Sequence, residues 1–246
     1  MTEQPGPELA GAGPVPAGEM PQRPHAAQAC ADHRLAGRDM PRWFVLARHA
    51  ESAANTAHVL SSDPARPVPL TEHGQTEARI LGAQLANLPI DLAIGTRLLR
   101  TQQTIDIALD GRPIPVLIEP GFDEVQAGGL DGAPIEVYWS WQDQHTADDR
   151  LPGGESVTDA LRRYANALRR LLARTETVTL VVTHGLAVRH IVAAAATGPP
   201  SLPGTDIANA APYLFGQDAA RRAADSLDAL ALSGQPRPGP ERRGKD

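Results

Sequence analysis

The stretch "TVTLVVTHG", residues 177–185, constrains the fold more than any other. Every residue from Thr177 to Thr183 is β-branched or leucine, and the run stops abruptly at His184-Gly185. A near-continuous apolar run of this length is the mark of a strand covered on both faces. "LAVRHIVAAAA" follows as a helix. The same alternation runs back along the chain: "RWFVLA" (42–47) reads as a strand bounded by Pro41, and "LTEHGQTEARILGAQLANL" (70–88) as a helix with Ile80, Leu81, Leu85 and Leu88 on one face. "DLAIGT" (91–96) is a short buried strand, "RLLRTQQTIDIAL" (97–109) a helix and "IPVLIE" (114–119) another strand. Ser156 and Asp159 form an approximate capping pair for a helix running to about Arg174. Strands alternating with helices predict an α/β fold, a three-layer αβα sandwich with a mostly parallel central sheet.

The pattern also sets the organisation. Residues 1–40 are rich in Pro, Gly, Ala and charge, have no apolar period, and read as a disordered leader. Residues 41–215 form the expected main domain, and 216–246 an alanine-rich, weakly amphipathic helix followed by a disordered tail. Residues 120–152 read as irregular, with "GFDEVQAGGLDG", "YWSW" and "DDRLPGGE" having the character of a lid.

Charge and cysteine content narrow the functions. The 246-residue chain carries a formal net charge of −6, which argues against a nucleic-acid partner, since that affinity rests on many Lys and Arg contacts to phosphate. Any anion site must be a local cluster of cations. The single cysteine, Cys30, excludes an intramolecular disulfide and a multi-cysteine zinc site. The sequence has no apolar run of about 18 residues and no secretion-signal pattern, so neither a membrane partner nor export is expected, and the expected location is cytoplasmic. The sequence does not indicate an oligomeric state.

Two of the predicted strands end in histidine, at Arg48-His49 and Thr183-His184, and "DLAIGT" leads into Arg97 and Arg100. In open α/β sheets ligands sit beyond the carboxyl ends of the strands, so these residues gather at one edge. Their chemistry suits a phosphomonoester. Arginine's planar fork donates bidentately and keeps its charge, a neutral imidazole can attack phosphorus, and a carboxyl of raised pKa can protonate the leaving oxygen.

These residues resemble the histidine phosphatase superfamily, also called phosphoglycerate mutase-like. Arg48-His49-Ala50 is similar to its Arg-His-Gly hallmark, and Glu51, Ser52 and Asn55 to the positions after it. "LTEHGQTEA", "TRLLRTQQTI", "FDE" with "GGLDG", "PGGES" and "VVTHGLAVR" resemble its further segments in the same order, over roughly residues 43–213 including Asn209 in "IANAAPYLF". The resemblance implies a phosphoglycerate mutase-like fold and metal-independent hydrolysis of a small phosphorylated metabolite, without a cofactor. His49 would form the phosphohistidine, Arg48, Arg100 and His184 would clamp the phosphoryl oxygens, Asn55 would add a hydrogen bond, and Glu124 would serve as proton donor and then base. Glu155 is expected to be structural and Glu51 to orient neighbours.

The chain departs from the pattern at Ala50, awkward if the backbone there has positive φ, at Thr101, at Leu130 in place of a tryptophan, and at "VLSSDPARPVP" after the first motif. Two alternatives share the site. A phosphoglycerate mutase would need cations for the substrate carboxylate, yet residues 125–152 contain Arg150 as their one Lys or Arg. A non-catalytic phosphate-binding module would be marked by loss of the acid or a histidine. Zinc hydrolysis fits poorly, because no HExxH occurs.

Overall fold

The structure, a computed structural model, describes residues 41–196 and 207–233. The expected leader and the end of the expected tail lie outside these residues, as does Cys30. Five strands form one sheet: β1 Trp43–Arg48, β2 Leu92–Gly95, β3 Val116–Ile118, β4 Val178–Thr183 and β5 Pro212–Gly216, in the order β3-β2-β4-β1-β5. All neighbours run parallel except β5, which is antiparallel to β1. The helices are α1 Ala53–Thr56, α2 Glu72–Gln84, α3 Leu99–Ala108, α4 Ile135–Gln144, α5 Val157–Leu172, α6 Gly185–Ala195 and α7 Gln217–Ser233.

Alternate residues of β1 point to opposite faces, as a pleated strand requires. Val45 and Ala47 pack with Leu81 and Leu85 of α2 and Ile105 of α3. Phe44 and Leu46 pack with Leu168 of α5, Ile191 of α6 and Leu227 of α7. Helices therefore cover both faces, and the α/β three-layer architecture predicted from the strand pattern is present. β4 is buried along its whole length, which is why its sequence carries no polar alternation.

Four elements differ from the sequence reading. α4 lies inside the stretch read as irregular; none of its residues is buried, and its narrow stripe of Ile135, Tyr138 and Trp141 is only half-buried, a weak signal in the sequence. α1 is a single turn, and β5 is an edge strand that begins with Pro212. The helix predicted after residue 215 is α7, and Ala220, Ala223, Ala224 and Leu227 bury it against α5 and α6, so the packed unit continues through Ser233. Small alanines allow this close approach while giving the helix a low apolar contrast.

Two glycine-rich stretches are pinned to each other beneath the site. Gly128, at φ +56°, lies where an added Cβ would come within 2.4 Å of the Pro152 carbonyl. The Gly129 amide donates to that carbonyl at 2.7 Å, and the Glu155 amide to Gln126 at 3.0 Å. The segment carrying Glu124 is thereby held against the start of α5. No described helix is long and apolar enough to cross a membrane.

Candidate active site

The site is built by adjacency of β1 and β4. Their parallel register pairs Arg48 with Thr183, so the next residues, His49 and His184, leave neighbouring strand ends together. The His49 amide donates to the Thr183 carbonyl at 2.8 Å, and the imidazole centroids are 5.3 Å apart. Both are deeply buried, at 3% and 0% exposure. β2 delivers a third component: the chain turns at Thr96 into α3, whose first turn carries Arg100, 4% exposed.

Arg100 joins the two rings. Its Nε donates to His49 Nε2 at 3.0 Å and its NH2 group to His184 Nδ1 at 3.2 Å, while Ser61 accepts on its Oγ and its carbonyl at 3.2 and 2.8 Å. Guanidinium can only donate, so each of these ring nitrogens presents a lone pair. His49 places its proton on Nδ1, donating to the Ala50 carbonyl at 2.8 Å. His184 places its proton on Nε2, donating to Thr96 Oγ1 at 3.0 Å; the chain continues to Thr101 Oγ1 at 3.0 Å, which donates to the Leu98 carbonyl at 2.9 Å. Burial, then the positive charge of Arg100, holds both imidazoles well below their ordinary pKa. They are neutral near pH 7, and this tautomer leaves the Nε2 lone pair of His49 facing Arg100.

Glu124 follows the short turn Pro120–Phe122 and keeps 27% of its side chain exposed. Crowding by protein raises its pKa, opposed by Arg100 and by the Val125 amide, which donates to Oε1 at 3.0 Å. Oε2 lies 4.0 Å from His184 Nδ1. The carboxyl is held from behind. Arg163 donates to the backbone carbonyls of Gly121, Asp123 and Glu124 and forms a two-point ion pair with Glu155. Asp123 accepts from Arg97, through its amide at 2.9 Å and Nε at 2.6 Å. Glu155 is structural, as its place in "GGES" suggested.

Arg48 runs beside Gly185, with NH1 donating to the Ile207 carbonyl at 2.7 Å, and its charge reaches both histidines and Glu124. Its Nε is buried without a hydrogen-bond partner. Asn209 donates to the His49 carbonyl at 2.7 Å. Asn55 Oδ1 accepts from the amide and hydroxyl of Ser52 at 2.9 and 2.8 Å, closing the cap of α1, and its Nδ2 group is the donor that the expected phosphate contact would use. Glu51 is turned to the start of α2, accepting from Thr71 at 2.6 Å. Ala50 does not have positive φ, and its amide donates to Thr104, so the methyl is accommodated.

Thr96 and Arg163 carry no role in the sequence reading, and Thr101 enters it only as a departure from the family pattern beside Arg100. A hydroxyl that fixes a tautomer 88 residues away leaves no local signal. Of the "YWSW" aromatics, Tyr138 lines a cavity of about 190 Å³ beside Arg100 and Glu124, Trp141 packs on the core and stacks on His145, and Trp139 is exposed. Among the described residues no three His, Cys, Asp or Glu side chains are grouped so as to hold a metal ion.

Comparison with known proteins agrees with this geometry. The chain is 32% identical over 151 residues to a Yersinia pestis (strain Pestoides F) protein named "Probable phosphoglycerate mutase GpmB", spanning 58% of this chain and 69% of that one. It superimposes on the α-ribazole phosphatase of Shigella flexneri with a TM-score of 0.57 and 26% identity, covering 64% and 81% of the two chains. Bacillus stearothermophilus YhfR shares the fold, with a TM-score of 0.62, 24% identity and coverage of 70% and 90%. Residues 44–228 match the histidine phosphatase superfamily (branch 1), and the chain belongs to that family.

Proposed function

We propose that the protein is a metal-independent phosphomonoester hydrolase working through a phosphohistidine at His49. The observation that carries this reading is the Arg100 guanidinium shared between the lone pairs of two neutral, buried imidazoles, with a carboxyl of raised pKa beside them. A phosphoryl dianion would draw the Nε–H of Arg100 away from His49 Nε2, freeing the nucleophile as it binds. Burial lowers the pKa of Arg100 from its ordinary value, a bias that an anion relieves.

In the first step Nε2 of His49 forms a bond to phosphorus while the ester P–O bond breaks. Glu124 gives its proton to the departing oxygen, Arg48 and Arg100 donate to the phosphoryl oxygens, and His184 joins them once the bound dianion has drawn a proton onto its Nδ1. In the second step the Glu124 carboxylate takes a proton from water, whose oxygen attacks phosphorus as the P–N bond breaks. Inorganic phosphate leaves and both residues return to their starting states. Fixed donors aimed where charge is carried in the transition state supply the largest share of such catalysis.

A mutase reading is favoured by the name of the Yersinia relative, but the one cation of residues 125–152, Arg150, is engaged by Asp159 at 2.7 Å. Release of phosphate from p-nitrophenyl phosphate, measured beside isomerisation of 3-phosphoglycerate, decides between them. Phosphate release unaffected by EDTA and no isomerisation is the expected result. Isomerisation, or activity abolished by chelation and restored by a divalent ion, overturns the proposal.

A further inference from the structure

We infer that the alcohol half of the substrate is uncharged and apolar, of the size of one ring; the inference deepens the hydrolase reading above and rests on it. The cavity of about 190 Å³ opens directly from Arg100 and Glu124, where a leaving group would emerge from the phosphoryl site. Beyond those two residues the walls are mostly apolar, with Val59, Leu60, Ile135, Leu151 and Leu186 among them, and the polar Ser61 is engaged by Arg100. An aliphatic cavity of about 150 Å³ holds benzene, so this one accepts a single aromatic ring or a short branched chain.

Of the residues lining the cavity only Arg100 and Glu124 are charged, which leaves no cation there for a second anionic group, and Arg66, Arg97 and Arg150 are already paired. Arg100 faces the phosphoryl site and Glu124 would repel a carboxylate. Arg150 pairs with Asp159, Arg97 with Asp123 at 2.6 Å, and the exposed Arg66 lies between Asp63 and Asp131 at 3.7 and 3.8 Å. A carboxylate or second phosphate on the leaving group would lose its water without gaining a cation, a desolvation cost that nothing here offsets. A sugar's hydroxyl groups would face the same walls.

The test keeps leaving groups of similar basicity and varies their surface. Benzyl phosphate, glycerol 2-phosphate and 3-phosphoglycerate are compared by kcat/KM for phosphate release from the full chain. Benzyl phosphate is expected to lead both others by at least about 10-fold, the scale of filling an apolar pocket. Ile135→Lys, at the cavity wall on α4, should narrow that lead by raising activity on 3-phosphoglycerate while lowering it on benzyl phosphate. Equal rates, or preference for either polar ester, would overturn the inference while leaving the hydrolase reading intact. Absence of phosphate release from every ester would sink the hydrolase reading instead. Calorimetric binding of benzylphosphonate against methylphosphonate then still tests the pocket without turnover. About 10-fold tighter binding of the benzyl compound supports it, and equal binding contradicts it.

Discussion

His49, Arg100 and His184 differ from Tyr138, Trp139 and Trp141 in how much of the fold holds each in place. The first three emerge from the ends of β1, β2 and β4 or the turns directly after them, are almost fully buried, and bond to one another and to backbone. The aromatic residues lie on α4, which has no buried residue, and Trp139 is 48% exposed. The groups proposed to handle phosphate are thus set by the core, whereas α4 presents surface that can change without disturbing the sheet. On the proposed function, chemistry and selectivity fall to regions of different packing density, an arrangement that lets the second change without the first.

Substitutions on the two sides should separate accordingly. Glu124→Gln is expected to lower kcat/KM on an alkyl phosphate by about 10²- to 10⁴-fold, the usual share of a general acid. Because its pKa is raised, the carboxyl stays protonated to higher pH than an ordinary glutamate, and wild-type kcat/KM should fall as pH rises through that pKa. The fall should be shallower on p-nitrophenyl phosphate, whose leaving group needs little protonation; an identical fall on both esters would remove Glu124 from the acid role. Arg100→Lys should cost about 10²- to 10³-fold in steady-state assays, since an ammonium cannot span two imidazoles and an anion with one planar fork. Near-wild-type activity would show that only the charge matters.

Smaller effects sharpen the contrast. Thr96→Val removes the acceptor for the His184 Nε2 proton and leaves a buried donor unpaired. A loss of about 10-fold in kcat with little change in KM is expected, and a KM effect alone would place Thr96 in binding rather than in tautomer control. Trp139→Ser should change kcat/KM less than about twofold and stability by less than about 0.5 kcal/mol, as for other exposed positions. A large loss would mean that the outer face of α4 takes part in catalysis.

The same contrast explains what could be read from sequence. β4 and the two strand-end histidines were legible because buried parallel strands leave continuous apolar runs that stop where the chemistry begins. Their adjacency across the sheet was expected only at the level of a shared edge; the pairing of Arg48 with Thr183 spans most of the domain. Asn55 shows a local contact that the sequence reading did not include: Ser52, three residues earlier, donates to its oxygen and closes a short-range cap. α4 escaped because its apolar face is one narrow, half-buried row of Ile135, Tyr138 and Trp141, and α7 looked marginal because its packing relies on alanines rather than large side chains.

Quenching the protein within milliseconds of mixing with a radiolabelled phosphomonoester, then mapping the label, asks the question directly. Label on the imidazole at position 49, lost in acid, stable in base and absent from His49→Ala, is the predicted result, with the same substitution lowering turnover by about 10⁴-fold or more. Full turnover with no labelled protein at any time, or equal labelling of His49→Ala, would contradict it.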